Sequence, residues 1–507
     1  MKKRILAGVL ALALVCALLA GCAGKAGNGK DATRADTNEV AIGIAQDFDS
    51  LDPHHMTAAG TKEVLFNVFE GLVKPTSDGK IVPAVASDVS VSDDGLTYVF
   101  TLRDGVKFHD GDAVTMDDVL YSLDRRMSGE DAAAKLDALD IISDIKGEGD
   151  TLTITLGEPS GEFLAFLMNV YIIPADIEAP DVNPVGTGPY KIVSRAAQDN
   201  LVLERFKDYW GEGGKLDKVT FKILENAEGL VLGLQSGALD LVSHMSSDQT
   251  DQLDEKVFTI EQGSMNLVQA LYLNNAEKPF DDVRVRQALC YAIDKQNVID
   301  MAFDGYGIPL GTSMFPSFAK YYDDSLTDYY PHDTAEAKKL LADAGYPDGF
   351  DMTITVPSNY TPHVNTAQVL VEQFKEIGVR VTLQPVEWNA WLSDVYSARQ
   401  FQSTITGLTS DNMTARKLLE RFGSSVGNNF TNYNNPEYDE ILAKAISSVD
   451  DGEQTEYYRQ LERILTETAA NVYIQDMADL VAVRSGLEGL TFYPLYVLDV
   501  STLSWSK

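Results

Sequence analysis

Apolar positions along the chain recur with two spacings, and each spacing predicts its own element. Between Leu96 and Leu102 every second residue is large and apolar: Leu96, Tyr98, Phe100 and Leu102 alternate with Thr97, Val99 and Thr101. This is a strand with one buried face, and Asp94-Gly95, Asp104-Gly105 and Asp110-Gly111 mark turns around it. Thr115 with Asp118 three residues on predicts a capped helix start, with Val119, Leu120 and Leu123 facing inward. Strands are expected at Val40–Ile44, Leu152–Leu156, Tyr190–Val193, Leu201–Arg205, Val219–Leu224 and Leu271–Asn275, and a helix at Lys62–Glu70. A helix from Gly229 stops at Gly237 before a short strand. Asp282 caps a helix with Ala288, Leu289, Ala292 and Ile293 on one stripe; Asp333 caps another, with Glu336 three on and Gly345 at its end. The stretch 351–386 reads strand, helix from Thr366 to Ile377, strand: a βαβ unit, right-handed and parallel. Pro436–Ser447 and Glu453–Ala469 are helical. The mixture is α/β, and about 470 residues beyond the leader suffice for two or three lobes.

The first residues follow another pattern. Lys2, Lys3 and Arg4 precede an apolar run from Ile5 to Ala20, and small residues follow. That run is short of the roughly 20 residues a spanning helix needs, so residues 1–21 read as a secretory signal peptide. Leu19-Ala20-Gly21-Cys22 resembles the lipobox of bacterial lipoproteins, which implies that Cys22 is acylated and becomes the new N-terminus. Two acyl chains hold where one slips off. Residues 22–38 are then a lipidated flexible tether, nearly free of large apolar side chains. Cys16 leaves with the signal, so Cys290 is the one cysteine of the body; no internal disulfide can form, and Cys290 packs as a small hydrophobe.

The formal charge is −35, and losing Lys2, Lys3 and Arg4 takes it to about −38. That balance excludes nucleic acid as a partner, and an anionic bilayer as a surface to lie on. None of the six histidines has zinc-site spacing. Asp49, Asp52, His54 and His55 are close enough for a metal, or make a polar turn. No phosphate-binding loop, nucleophile elbow or dinucleotide fingerprint is present, and "DGDAVTMDD" lacks the closing Glu of a calcium loop. No cofactor, metal or catalytic residue is assigned, and a binder is favoured over an enzyme.

Five blocks bear a resemblance. "SDDGLTYVFTLRDGVKFHDGDAVTMDDVLYSLDR" (92–125), "NPVGTGPYKI" (183–192), "RFKDYWGEGGKLDKVTFKI" (205–223), "LYLNNAEKPFDDVRVRQALCYAIDK" (271–295) and "AKKLLADAGYPDGFDMTITVP" (337–357) resemble, in order, family 5 of the extracellular solute-binding proteins, the peptide/nickel class serving ABC importers. The resemblance implies a three-lobed periplasmic-binding-protein-like fold of the cluster C type. Lobe I would be discontinuous (36–62, 183–272 and 478–507), lobe II would be 63–182 and lobe III 273–477. Lobes I and III would hinge near Leu271–Asn275 and Met477–Val481 and close on a ligand.

It also implies site residues. Peptide-binding members bury the ligand's terminal ammonium against an Asp in a Gly-Trp-x-x-Asp segment; Gly407 to Asp411 matches it, with Leu408 in place of the Trp. Asp411, followed by Asn412, either takes that ammonium or caps the next helix. Dipeptide-type members present an Arg to the ligand carboxylate where this chain has "TPHVNTAQVL" (361–370), with His363 and no Arg. That weighs against a strict dipeptide binder and favours longer peptides. Trp388, Trp391 and Tyr433 are candidate cleft aromatics, with core packing the competing role for Trp391; Tyr321, Tyr322, Tyr329 and Tyr330 read as rim or surface. The implied partners are a peptide ligand, an ABC permease with its ATPase subunits, and the membrane through Cys22. The protein would be a monomer on the outer face of the bacterial membrane, or facing a periplasm. Rival readings are the same fold holding a metal chelate or oligosaccharide, and a surface-anchored hydrolase.

Overall fold

A computed structural model describes residues 36–129, 131–410 and 413–506. The expected signal peptide 1–21, Cys22, the tether as far as residue 35, Asp411 and Asn412 lie outside the described residues.

The strands are, in chain order, β1 (Glu39–Ile44), β2 (Val73–Pro75), β3 (Ile81–Pro83), β4 (Ala86–Val91), β5 (Thr97–Leu102), β6 (Ile142–Glu148), β7 (Thr151–Leu156), β8 (Tyr190–Ala196), β9 (Asn200–Arg205), β10 (Lys218–Ile223), β11 (Leu241–Met245), β12 (Phe258–Leu273), β13 (Gly307–Pro309), β14 (Asp351–Pro357), β15 (Arg380–Val386), β16 (Ser403–Thr409), β17 (Asn471–Arg484), β18 (Leu487–Glu488) and β19 (Ser504–Trp505). Among the described residues, the large sheet runs β15-β14-β16-β12-β17-β11-β1-β10-β9-β8, with β13 added to β17. A separate four-stranded sheet runs β4-β5-β7-β6.

β12 and β17 hold the large sheet together. They are 16 and 14 residues long and pair antiparallel in two registers. Phe258–Ser264 faces Ala478–Arg484; after an irregularity, Val268–Tyr272 faces Asn471–Asp476. Beyond this crossing the partners differ. The second half of β17 pairs with β11, whereas the second half of β12 pairs with β16. Each half-sheet has a parallel set: β1 with β10 and β11 in one, β14 with β15 and β16 in the other.

The local expectations hold where a cap or a strict alternation carries them. Thr115 and Asp118 form a capping box on the helix Met116–Met127. Tyr98 and Phe100 of β5 are buried, as are Val119 and Leu123 of that helix. Asp282 and Asp333 cap helices Val283–Ala292 and Thr334–Asp343. The first helix is Ala59–Leu65 rather than Lys62–Glu70, and Thr361–Glu376 begins five residues before Thr366. Pro362 lies in its first turn, where a missing N–H costs no intrahelical bond. One continuous apolar cluster joins Tyr98, Phe100 and Phe163 of the four-stranded region to Tyr438, Tyr458 and Leu461. Separate clusters lie under β14 and under β1 and β10.

Candidate functional site

The registers locate a cleft before any side chain is considered. β16 ends at Thr409, opposite Leu267; β11 ends at Met245, opposite Leu480. The carboxyl ends of both parallel sets thus converge on the crossing, and open α/β sheets bind ligands at the carboxyl ends of their strands. A cavity of about 820 Å³ lies there, lined by Met265, Asn266 and Leu267 of the crossing and by Thr409 and Ser410. Its size falls near the upper end of small-molecule sites.

The wall away from β16 is aromatic and charged. Glu70 is buried and accepts from Tyr209 Oη (2.7 Å), Trp210 Nε1 (2.8 Å) and Lys74 Nζ (3.0 Å). Burial and the Glu70 carboxylate push the Tyr209 phenol well above its ordinary range. Trp210 also lies under Arg103, whose guanidinium is 4.1 Å from its ring centre. Asp499 accepts from Tyr493 Oη at 2.7 Å on another side of the cavity.

Two titratable groups sit at the crossing itself. Asp476 accepts from Ser264 Oγ and from Leu267 N (3.0 Å), yet burial outweighs these donors and pushes its carboxyl up to about 7. His244 is clamped between Asp479 (2.9 Å) and Glu63 (2.9 Å). Burial alone would lower it, but the two carboxylates raise it to about 10, so the ring is an imidazolium. It stacks on Tyr496, a cavity wall residue, at 4.4 Å.

The residues expected from sequence fall in three places. Asp411 and Asn412 lie outside the described residues, but Thr409 and Ser410 immediately before them line the cavity. The next helix is Arg416–Leu419, with Ala415 at its N-cap. Trp388 and His363 follow β15 and β14, at the same sheet edge as Ser410. Neither lines the 820 Å³ cavity. Trp388 is half-buried, stacks on Trp391 (5.1 Å) and meets the Tyr360 ring at a tilt (5.1 Å). His363 is buried, and its Nδ1 lies 2.9 Å from Gln269 Nε2. Burial lowers its pKa to about 4, so it is neutral and Nδ1 accepts. Tyr433 is in the core, with its hydroxyl 2.8 Å from Thr468 Oγ1 and accepting from Asn435 Nδ2 at 3.1 Å. Trp391 is buried too, donating to Thr404 Oγ1 at 2.9 Å. Of the four tyrosines read as rim, Tyr321 and Tyr330 are buried instead, packed edge-on against Tyr458 and Tyr291.

The cluster of Asp49, Asp52, His54 and His55 is engaged in local bonds. Asp49 accepts from Thr57 and Ala58, and Asp52 pairs with Arg125. His54 Nε2 donates to Tyr171 O at 2.8 Å, and His55 faces Asp131 at 2.5 Å. Glu70, Lys74, Tyr209 and Trp210 were missed. The adjacent aromatics of "KDYWG" hint at a buried contact, but their partner Glu70 is 139 residues away.

The model of the bacterial extracellular solute-binding proteins, family 5 middle region, matches residues 80–430. The glutathione-binding protein GsiB of Shigella flexneri serotype 5b is 28% identical over 480 residues, covering 90% of each chain. The structure of the ABC transporter substrate-binding protein CtaP from Listeria monocytogenes matches with a TM-score of 0.80 at 27% identity, over 92% of this chain and 99% of that one. DppA from Helicobacter pylori, solved with the peptide STSA, gives 0.67 at 25% identity, over 92% and 98%.

Proposed function

Because the chain belongs to family 5 of the bacterial extracellular solute-binding proteins, we propose that it captures peptides, oligopeptides rather than strict dipeptides, and delivers them to an ABC permease and its ATPase subunits. Its family and relatives are solute binders, not enzymes. The observation that carries the peptide reading is the 820 Å³ cavity at the meeting of both sets of strand ends, larger than a dipeptide needs. Lobes I (36–62, 183–272, 478–507) and III (273–477), with lobe II at 63–182, close on the peptide by bending at the crossing. The irregular pairing between Ser264 and Val268 supports a hinge there. Cys22 carries the lipid that holds the exported monomer at the membrane, a point checked by the mass of the mature N-terminus.

Asp411 takes the peptide's ammonium. Two facts support this over capping: its neighbours Thr409 and Ser410 line the cavity, and the N-cap of the next helix is Ala415. The names of the GsiB relatives favour a second reading, the tripeptide glutathione. Calorimetry with glutathione, Ala-Ala, Ala-Ala-Ala and Ser-Thr-Ser-Ala separates the two. Asp411→Asn should cost the bound peptide about 2–5 kcal/mol, as expected for a buried charge left unpaired. A loss below about 0.5 kcal/mol removes Asp411 from the site.

A further inference from the structure

We propose that Lys74 receives the free carboxylate of the bound peptide, an assignment that rests on the peptide reading above. A peptide carboxylate taken out of water needs a cation. The segment 361–370, where an Arg would be expected, has none. Three lysines line the cavity: Lys62, Lys74 and Lys215. Lys62 and Lys215 are exposed, so water screens their charges; Lys74 is half-buried.

Lys74 is also held in place. Its ammonium donates to Glu70 (3.0 Å) and to Tyr209 Oη (3.1 Å) and lies 4.8 Å from the centre of the Trp210 ring. An ammonium has three N–H donors, so one remains after these two bonds. Glu70 does not depend on Lys74, because Tyr209 and Trp210 also donate to it. Behind Trp210, Arg103 donates to the carbonyls of Ala84 (3.0 Å) and Ala86 (3.2 Å), and no carboxylate among the described residues pairs with it. Glu70, Lys74 and Arg103 together therefore carry one surplus positive charge, while Glu212 and Asp499 are the other carboxylates of the lining. Of the two cations, Lys74 is the one that reaches the cavity wall. A carboxylate arriving there gains a charge-assisted bond in a partly desolvated site.

The test compares each peptide as its free acid and as its C-terminal amide, which removes the charge and keeps the shape. Glutathione, Ala-Ala-Ala and Ser-Thr-Ser-Ala are titrated in both forms into the wild type and into Lys74→Met. The wild type should bind the acid of its preferred peptide at least ten-fold more tightly than the amide. Lys74→Met should shrink that preference to about two-fold or less, and Lys74→Arg should restore part of it. Equal binding of acid and amide by the wild type overturns the assignment without any variant. So does a Lys74→Met protein that loses affinity for both forms alike. If the wild type binds none of the peptides in either form, the peptide reading fails, and the assignment falls with it.

Discussion

One buried carboxylate lies where the four-stranded region meets the large-sheet half and a second where it meets the helices of the other half, and the two behave oppositely. On the first side, Arg125 grips Asp52 with two bonds, 2.9 and 2.5 Å, and the His54 N–H adds a third at 3.0 Å. Burial alone would raise Asp52, but these donors outweigh it and hold the carboxyl below its ordinary range. On the second side, Glu162 accepts from Thr414 Oγ1 and from Tyr458 Oη (3.0 Å), and Arg416 stands off at 3.4 Å. There burial wins, and Glu162 is raised. Both sites hold an acid and an arginine. The sign is decided by whether the guanidinium closes on both oxygens or only approaches one. The first junction is a weld that needs its charge. The second is a contact that one proton relieves, and its partner Thr414 lies three residues after Asp411.

Backbone packing is tight at both junctions. A Cβ on Gly186 would lie 2.1 Å from Val68 O, and one on Gly188 2.6 Å from Asn67 O, so "VGTGPY" is glycine-rich because two main chains touch. At the second junction a Cβ on Gly161 would lie 2.4 Å from the Gln454 side chain and 2.7 Å from Ser448 O, so a main chain passes close there too.

The largest expected effect follows from breaking the weld. Asp52→Ala takes the bidentate partner from Arg125, only 14% exposed, and leaves Asp131 at 3.6 Å as its remaining carboxylate. Removing one member of such a pair costs about 3–5 kcal/mol, read by urea unfolding. With a folded pKa below the unfolded one, the stability Asp52 supplies is present above pH about 4 and is lost as pH falls through the folded value. The variant should therefore lose less stability than the wild type on acidification. A deficit under about 1 kcal/mol at neutral pH would mean that the grip adds nothing.

Glu162→Gln should do much less. The amide keeps an oxygen for Thr414 and Tyr458 and sheds a desolvated charge, so stability at neutral pH should stay within about 1 kcal/mol of wild type. Here the sign reverses. A raised folded pKa means that the contribution of Glu162 is present below its unfolded value and fades as pH rises through the folded one. The variant should flatten that slope. A neutral-pH loss of about 3 kcal/mol or more would make the second junction a weld like the first.

These junctions were illegible in the sequence, while much of the frame around them could be read. The Thr115–Asp118 box, the Asp282 and Asp333 caps and the β5 alternation are local, since each depends on residues within a turn or a strand. β16 and β17 went unread because central strands are covered on both faces, and the first half of β12 because its exposed positions do not alternate strictly with buried ones. β17 is buried at nearly every position, so no polar face alternates with an apolar one. Its Gln475 and Asp476, both fully buried, look like surface residues in a list. The five blocks and Gly407–Asp411 directed attention to β16's end, which does border the cavity. The opposite wall depends on pairs such as Glu70 with Trp210, 140 residues apart, which no local pattern joins.

A second ion pair crosses the welded junction and gives the smallest expected effect. Lys107 Nζ meets Asp208 at 3.0 Å, but the two side chains are 44% and 58% exposed. Water and salt screen such a pair, and holding two long side chains in one arrangement costs entropy. Lys107→Ala should therefore shift stability by about 0.5 kcal/mol or less, and added salt should shrink the difference further. Both pairs join the same two parts of the chain, so burial and bidentate geometry are what separate them. If Lys107→Ala cost as much as Asp52→Ala, the junction would be held by its total charge rather than by one desolvated grip, and the contrast with Glu162 would lose its basis.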